Sequence, residues 1–350
     1  MTKLFTILLV LTLWYTNQVH AQSPSDYLPD KPGKWSYSNN ITSTEAEYIA
    51  YSKVIASLAE WFPQNVPMLC NPEGFDLKAV AYGMWDDEYK LCRSNYGLRA
   101  EMDFGFQLFL SAGGKWVIEP PHYSFDINNT ETGHGTNPNY HHFVAEYFNY
   151  THPDSKYKYT SADEKAINDA VVKLNGIFAV FPFAKEMAPG VHVYKESVDG
   201  HFYHVIVFNP ERPPYWIPVT LKELAEIHLD YYTSQKDEFL LPQLKKEIAE
   251  FSKEELNTPA YFGHDLHFVL RANGKNDGLQ LMRFNPDYWN RSLSPSTIQF
   301  MTFYYPQMDE VALAESYKNN GHSFYSQLLV NEIDWRKLAE LMKMHDFGIN

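Results

Sequence analysis

Apolar positions along this chain switch between two periods, and the switch points outline a fold. From Thr44 onward, Tyr48, Tyr51, Ile55, Leu58 and Phe62 recur at helical spacing, which predicts a helix with one buried face. Thr44 and Glu47 stand in capping-box positions at its start, and Pro63 and Pro67 are expected to end it. From Phe75 to Glu119 the period becomes two. Leu77 to Trp85 reads as one strand. Met102, Phe104, Phe106, Leu108 and Leu110 alternate with Glu101, Asp103, Gly105 and Gln107 as a half-buried second strand. Gly113-Gly114 turns the chain, so Lys115 to Glu119 is the expected hairpin partner, and Pro120 to Thr136 reads as loop.

The second half repeats this alternation. Ser161 and Glu164 open a helix whose Ala166, Ile167, Ala170, Val171 and Leu174 are apolar, with Gly176 at its end. Val191 to Glu196 and Phe202 to Phe208 form a hairpin around Asp199-Gly200. The second of these strands is apolar on both faces, the mark of a central strand covered on both sides. Thr220 and Glu223 cap the next helix, which runs to about Tyr232, and Val219 is placed to staple onto Leu224. Pro242 opens another, with Leu244, Ile248 and Phe251 inward. A further hairpin, Leu266 to Arg271 and Leu279 to Phe284, leads into Phe284-Asn-Pro-Asp-Tyr-Trp289. That corner echoes Phe208-Asn-Pro-Glu followed by Tyr215-Trp216, so a repeat of a hairpin plus Phe-Asn-Pro plus Tyr-Trp unit is an expectation. Ser296 to Tyr305 alternates like a strand, and a last helix starts near Asp334. Helices and hairpins without a βαβ rhythm indicate an α+β fold, antiparallel sheet packed with amphipathic helices. The expected division is a leader at 1–21, an extended lead-in at 22–43, an N-terminal α+β region at 44–155 and a C-terminal one at 156–350. The two regions can also form one continuous domain.

Composition narrows where such a chain works. Residues 1–21 carry Lys3, an apolar run from Leu4 to Trp14 and the small residues Val19 and Ala21, the parts of a cleavable secretory leader. The run is too short to span a bilayer, which takes ~20 residues. The expected protein is exported, periplasmic or extracellular, and does not span a membrane. The net charge of −14 becomes −15 once Lys3 leaves, and no basic cluster offsets it, which argues against nucleic-acid partners. Two cysteines, Cys70 and Cys92, are the expected disulfide of an exported chain. Closing that loop of about 23 residues is worth ~3 kcal/mol in the chain-entropy model. Four Asn-x-Ser/Thr sequons, at Asn40, Asn128, Asn149 and Asn290, matter only in a eukaryotic secretory route.

Chemistry is sparse. The nucleophile elbow, the zinc-protease helix, the phosphate loop and the dinucleotide fingerprint are all missing from the sequence. The weak catalytic candidates are Glu101 and Asp103, two apart on one strand face and so ~6.5–7 Å apart at Cα. That separation is compatible with paired-carboxylate glycoside hydrolysis, while the same face carries Gln107 and Ser111 and reads equally as a wet surface. Asp126, Asn128 and His134 place oxygen and nitrogen donors near one another without the glycine and closing glutamate of a calcium loop, so they are weak metal candidates only. No cofactor is expected. The 25 Tyr, 23 Phe and 8 Trp are more telling. Tyr215, Trp216, Tyr288 and Trp289, beside Arg212 and Arg291, sit on proline-stiffened corners, where rigid flat rings suit a glycan or protein partner. The same rings could instead plug a core. The first functional reading is therefore a non-catalytic binding or envelope-associated protein recognising a glycan or a protein, with a glycan-directed hydrolase as the alternative.

Overall fold

A computed structural model describes residues 27–41, 44–83, 98–117, 120–129, 139–141, 160–195, 202–261, 280–306, 309–318 and 322–344. The first half contributes β1 (Trp35–Asn39), α1 (Ala46–Asn65), α2 (Pro67–Cys70), β2 (Phe75–Gly83), β3 (Ala100–Leu108), β4 (His122–Ile127) and β5 (Asn139–His141). The second half starts with α3 (Ser161–Asn175), β6 (Ile177–Val180), β7 (Phe183–Ala188), β8 (Val191–Lys195), β9 (Phe202–Phe208) and β10 (Trp216–Pro218). It continues through α4 (Leu221–Ser234), α5 (Leu240–Ala249), α6 (Lys253–Leu256), β11 (Leu281–Phe284) and β12 (Phe300–Pro306). It ends with α7 (Glu310–Lys318), α8 (His322–Glu332) and α9 (Trp335–Met344).

Two sheets carry the strands. One is eight-stranded in the order β1-β2-β3-β4-β12-β9-β8-β7, and the other is four-stranded in the order β10-β11-β6-β5. The β1–β2 pair is parallel and the other ladders of the large sheet are antiparallel. The fold is α+β, as the alternating periods indicate. Strands from both sides of the expected boundary at residue 155 share the large sheet.

The two-residue period of each strand explains the layering. On β9, Val205 and Val207 point into a core shared with α1, α8 and α9, while Ile206 and Phe208 point into a second core. On β6, Phe178 and Val180 meet that second core from the small sheet, while Ile177 and Ala179 face α4 and α5 in a third. The order is therefore helices, large sheet, small sheet, helices. β9 is buried on both faces from His204 to Phe208, as its two-sided apolar pattern requires. In the first core Phe62 of α1 lies 4.9 Å from Phe104 of β3 and 5.0 Å from Phe125 of β4, binding the helix to two strands at once.

Several local expectations are corrected. α1 begins after Glu45 with no side-chain cap, so the Thr44–Glu47 box does not form, and the helix runs through Pro63 to Asn65. The buried anchors Trp61 and Phe62 hold that last turn despite the missing proline N–H. α3 is capped one residue earlier than expected, by Thr160 and Asp163 in a reciprocal box. Thr220 does cap α4, accepting from the Glu223 N–H at 3.1 Å, but the Glu223 carboxylate turns instead to Arg283 at 2.7 Å. The partner of β3 is not the stretch from Lys115, which makes one isolated bridge with Phe109. It is β4, inside the expected loop, where Tyr123, Phe125 and Ile127 bury in register with Phe104, Met102 and Ala100. The expected strand Leu266 to Arg271 and the boundary expected at residue 155 lie outside the described residues. Among the described residues no helix is long and apolar enough to cross a membrane.

Candidate functional site

The two aromatic corners meet each other. Each begins with the same Asx turn: Asn209 Oδ1 accepts from the Glu211 N–H at 2.9 Å, and Asn285 Oδ1 from the Asp287 N–H at 3.0 Å. The likeness between the two units is thus real at the turn, and it stops there, because β9 lies in the large sheet and β11 in the small one. Asn285 then ties the corners together, donating its side-chain N–H to Pro214 O at 2.7 Å and its backbone N–H to Tyr215 O at 2.8 Å. Arg212 answers from the other side, with Nε on Tyr288 O at 2.7 Å and a terminal nitrogen on Asp287 O at 2.8 Å.

The expectation of exposed stacking platforms is corrected by this arrangement. Tyr215, Trp216, Tyr288 and Trp289 are 4%, 6%, 1% and 2% exposed, in the core between the sheets. The Tyr215 hydroxyl bonds Tyr194 at 2.6 Å and His192 Nδ1 at 2.8 Å, and the Tyr288 hydroxyl donates to Gln299 O. Burial pushes both phenols above their ordinary range. With Arg212 spent on backbone carbonyls, only Arg291 of the expected binding set stays on the surface.

The carboxylate candidates do converge, though with a different partner. Glu101 stands directly opposite Asp126, and Asp103 opposite Ser124, whose hydroxyl donates to it. Cross-strand neighbours of this kind have Cβ atoms about 4.5–5.5 Å apart. The row continues in register from Tyr82 through Glu101, Asp126, Thr302 and Ile206 to His192. One face of the large sheet is thus acidic over β3 and β4 and apolar over β9, where the small sheet covers it. Glu101 and Asp103 are half-buried, whereas Asp126 is fully buried and neither of its oxygens meets hydrogen-bond geometry. Its pKa rises to about 7, first through burial and then through the Glu101 charge, while the nearby Asn129 amide and Arg99 guanidinium pull it down.

The metal candidates separate. Asn128, at φ 53°, spends its amide on Leu98 O at 3.1 Å and Thr297 O at 2.9 Å, and its Oδ1 accepts from Gln299 and Phe300 N–H at 2.8 and 3.2 Å. It is a structural clasp with no lone pair to spare, so it is not a metal ligand. His134 lies outside the described residues. Among the described residues no group of three or more His, Cys, Asp or Glu stands together to hold a metal ion. Cys70 is exposed at the end of α2, and Cys92 lies outside the described residues.

A cleft of about 380 Å³ opens on the opposite side of the large sheet, where the lead-in, the α2–β2 loop and α8 come together. Tyr27, Phe75, Phe324 and Tyr325 supply rings, and Met68, Leu108 and Leu328 fill between them. Asn71 and Glu73 stand exposed at its mouth. The rings sit edge to face: Phe324 against Tyr325 at 5.2 Å and 88°, and Phe75 against Tyr325 at 5.8 Å and 82°. Gly74 makes the floor possible, since its φ is +84° and an added Cβ would lie 2.8 Å from Pro29 O.

No family model, curated protein or solved structure matches the chain.

Two arrangements can act on a molecule. The acidic row sets the buried Asp126 carboxyl, whose pKa is raised, directly opposite a second carboxyl, the kind of pairing acid–base sites use. The cleft offers concave apolar volume in the range small-ligand sites use, with few polar groups to orient the guest. The cleft escaped the sequence because its lining comes from four separated segments. Its one local trace is Phe324, Tyr325 and Leu328, which share a helical face in a stretch that carried no expected element.

Proposed function

We propose that the protein is an exported binding protein that holds its ligand, a glycan or peptide segment, in the aromatic cleft beside α8. The observation that carries this reading is the 380 Å³ cleft itself, which has rings on its walls and an amide and a carboxylate at its mouth. Rings stack on the apolar faces of sugars and on peptide side chains, and two polar groups suffice to orient either. The leader-like residues 1–21 support export, and Cys70 with Cys92 as a disulfide fits that route. A thermal-shift panel of methyl glycosides and short peptides tests the site, run on the wild type and on Leu328→Trp, which fills the cleft. A shift present in the wild type and lost in Leu328→Trp is expected. No shift with any probe, or one that persists in Leu328→Trp, overturns the reading.

A second reading, glycoside hydrolysis, is favoured by one observation, the in-register opposition of Glu101 and Asp126. Asp126 would be the proton donor and Glu101 the second carboxyl of the pair. It is carried less far, because Asp126 is fully buried. Turnover of a chromogenic glycoside that survives Glu101→Gln unchanged would dispose of it.

A further inference from the structure

Charge decides what the cleft can hold. Its lining contains one ionisable carboxylate, Glu73, and neither lysine, arginine nor histidine. Among the described residues Glu73 makes no ion pair, so its charge faces the mouth uncompensated. Behind it, Phe75, Tyr325 and Phe324 meet successively at near right angles, so the guest faces both ring edges and ring faces. Ring faces are the negative pole of the aromatic quadrupole and attract cations. An anion would find no cationic side chain in the lining and would approach a chain of net charge −14. A neutral polyol would leave the Glu73 charge without a partner.

We infer that the cleft recognises a small organic cation, an ammonium group carried on an apolar body, with the ammonium at Glu73 and the body against Phe75, Phe324 and Tyr325. This rests on the reading of the cleft as the binding site and, of the ligands proposed there, favours a peptide segment, whose amino terminus or lysine side chain is such an ammonium, over a glycan. The ammonium is held by the carboxylate and by ring faces together, and the apolar part fills the volume between Met68 and Leu328.

Isothermal titration of the full chain with three probes of one shape tests it: phenethylammonium, phenethyl alcohol and 3-phenylpropionate. The wild type should bind the ammonium at least tenfold more tightly than the alcohol, and the carboxylate not measurably. Glu73→Gln, at an exposed position that makes no ion pair among the described residues, should weaken the ammonium about tenfold and leave the alcohol unchanged. Leu328→Trp should abolish binding of both. Equal binding of ammonium and alcohol, no effect of Glu73→Gln, or no binding of the ammonium at millimolar concentration overturns the cation assignment. A glycoside or peptide shift lost in Leu328→Trp would then leave the binding reading standing. Probe binding unchanged in Leu328→Trp removes the cleft as the site and both readings with it.

Discussion

Replacing Asp126 with asparagine removes a charge and keeps the shape of the side chain. In the folded protein the carboxyl titrates at about 7, against an ordinary value of 3.8, because burial and the facing Glu101 both disfavour its ionised form. The difference is about three units, and each unit corresponds to ~1.36 kcal/mol. The group therefore favours the folded state fully below pH ~4, and that preference is lost as the pH climbs to 7, to a ceiling of about 4 kcal/mol. Above pH 7 both states are ionised and the curve flattens. Between pH 5 and pH 8 the wild type should lose about 2–3 kcal/mol of stability that Asp126→Asn does not lose, by urea denaturation at each pH. Titrating groups remote from Asp126 are common to the two proteins and cancel in the comparison, and the facing Glu101 is tested by its own variant. Glu101→Gln, which removes the neighbouring charge, should shrink the loss without abolishing it, since burial is the larger cause. Parallel stability curves for wild type and Asp126→Asn across pH 5 to 8 would refute the reasoning.

Three further changes probe the frame that holds the sheets together. Asn128→Ala strips four hydrogen bonds at once and leaves an alanine in left-handed backbone, so a loss of about 4 kcal/mol is expected in the urea midpoint. Gly190→Ala sets a Cβ at φ +85° and 2.5 Å from Phe208 O in the β7–β8 turn, costing about 2 kcal/mol or more with an unchanged m-value. Arg212→Ala orphans the carbonyls of Asp287 and Tyr288, for about 1.5–3 kcal/mol, and should alter the near-UV circular dichroism of the buried Tyr-Trp pairs.

What the sequence carried depended on how local the cause was. α1 and β9 were legible because one helix face and both strand faces were apolar, and the packing obeyed those patterns. The four residues of β6, by contrast, are apolar throughout and too few to show a period, and β4 hides behind two prolines in a stretch rich in loop formers. Their strand identity comes from partners far along the chain: Leu281 opposite Ala179, Met301 opposite Ile127. The corners show the same limit. Asn-Pro followed by Tyr-Trp announced a rigid turn, and the turn is there twice, but whether its rings face water depends on a second corner more than 70 residues away. Asn285 reaches Pro214 and Arg212 reaches Asp287, and that reciprocity closes the rings inside. The acidic row was half legible for a related reason. Glu101 and Asp103 share a face by strand geometry alone, whereas Asp126 joins them only through the register of β3 on β4. The third carboxyl is the buried one, so the residue that makes the row electrostatically unusual is the one that no local pattern could place beside the other two.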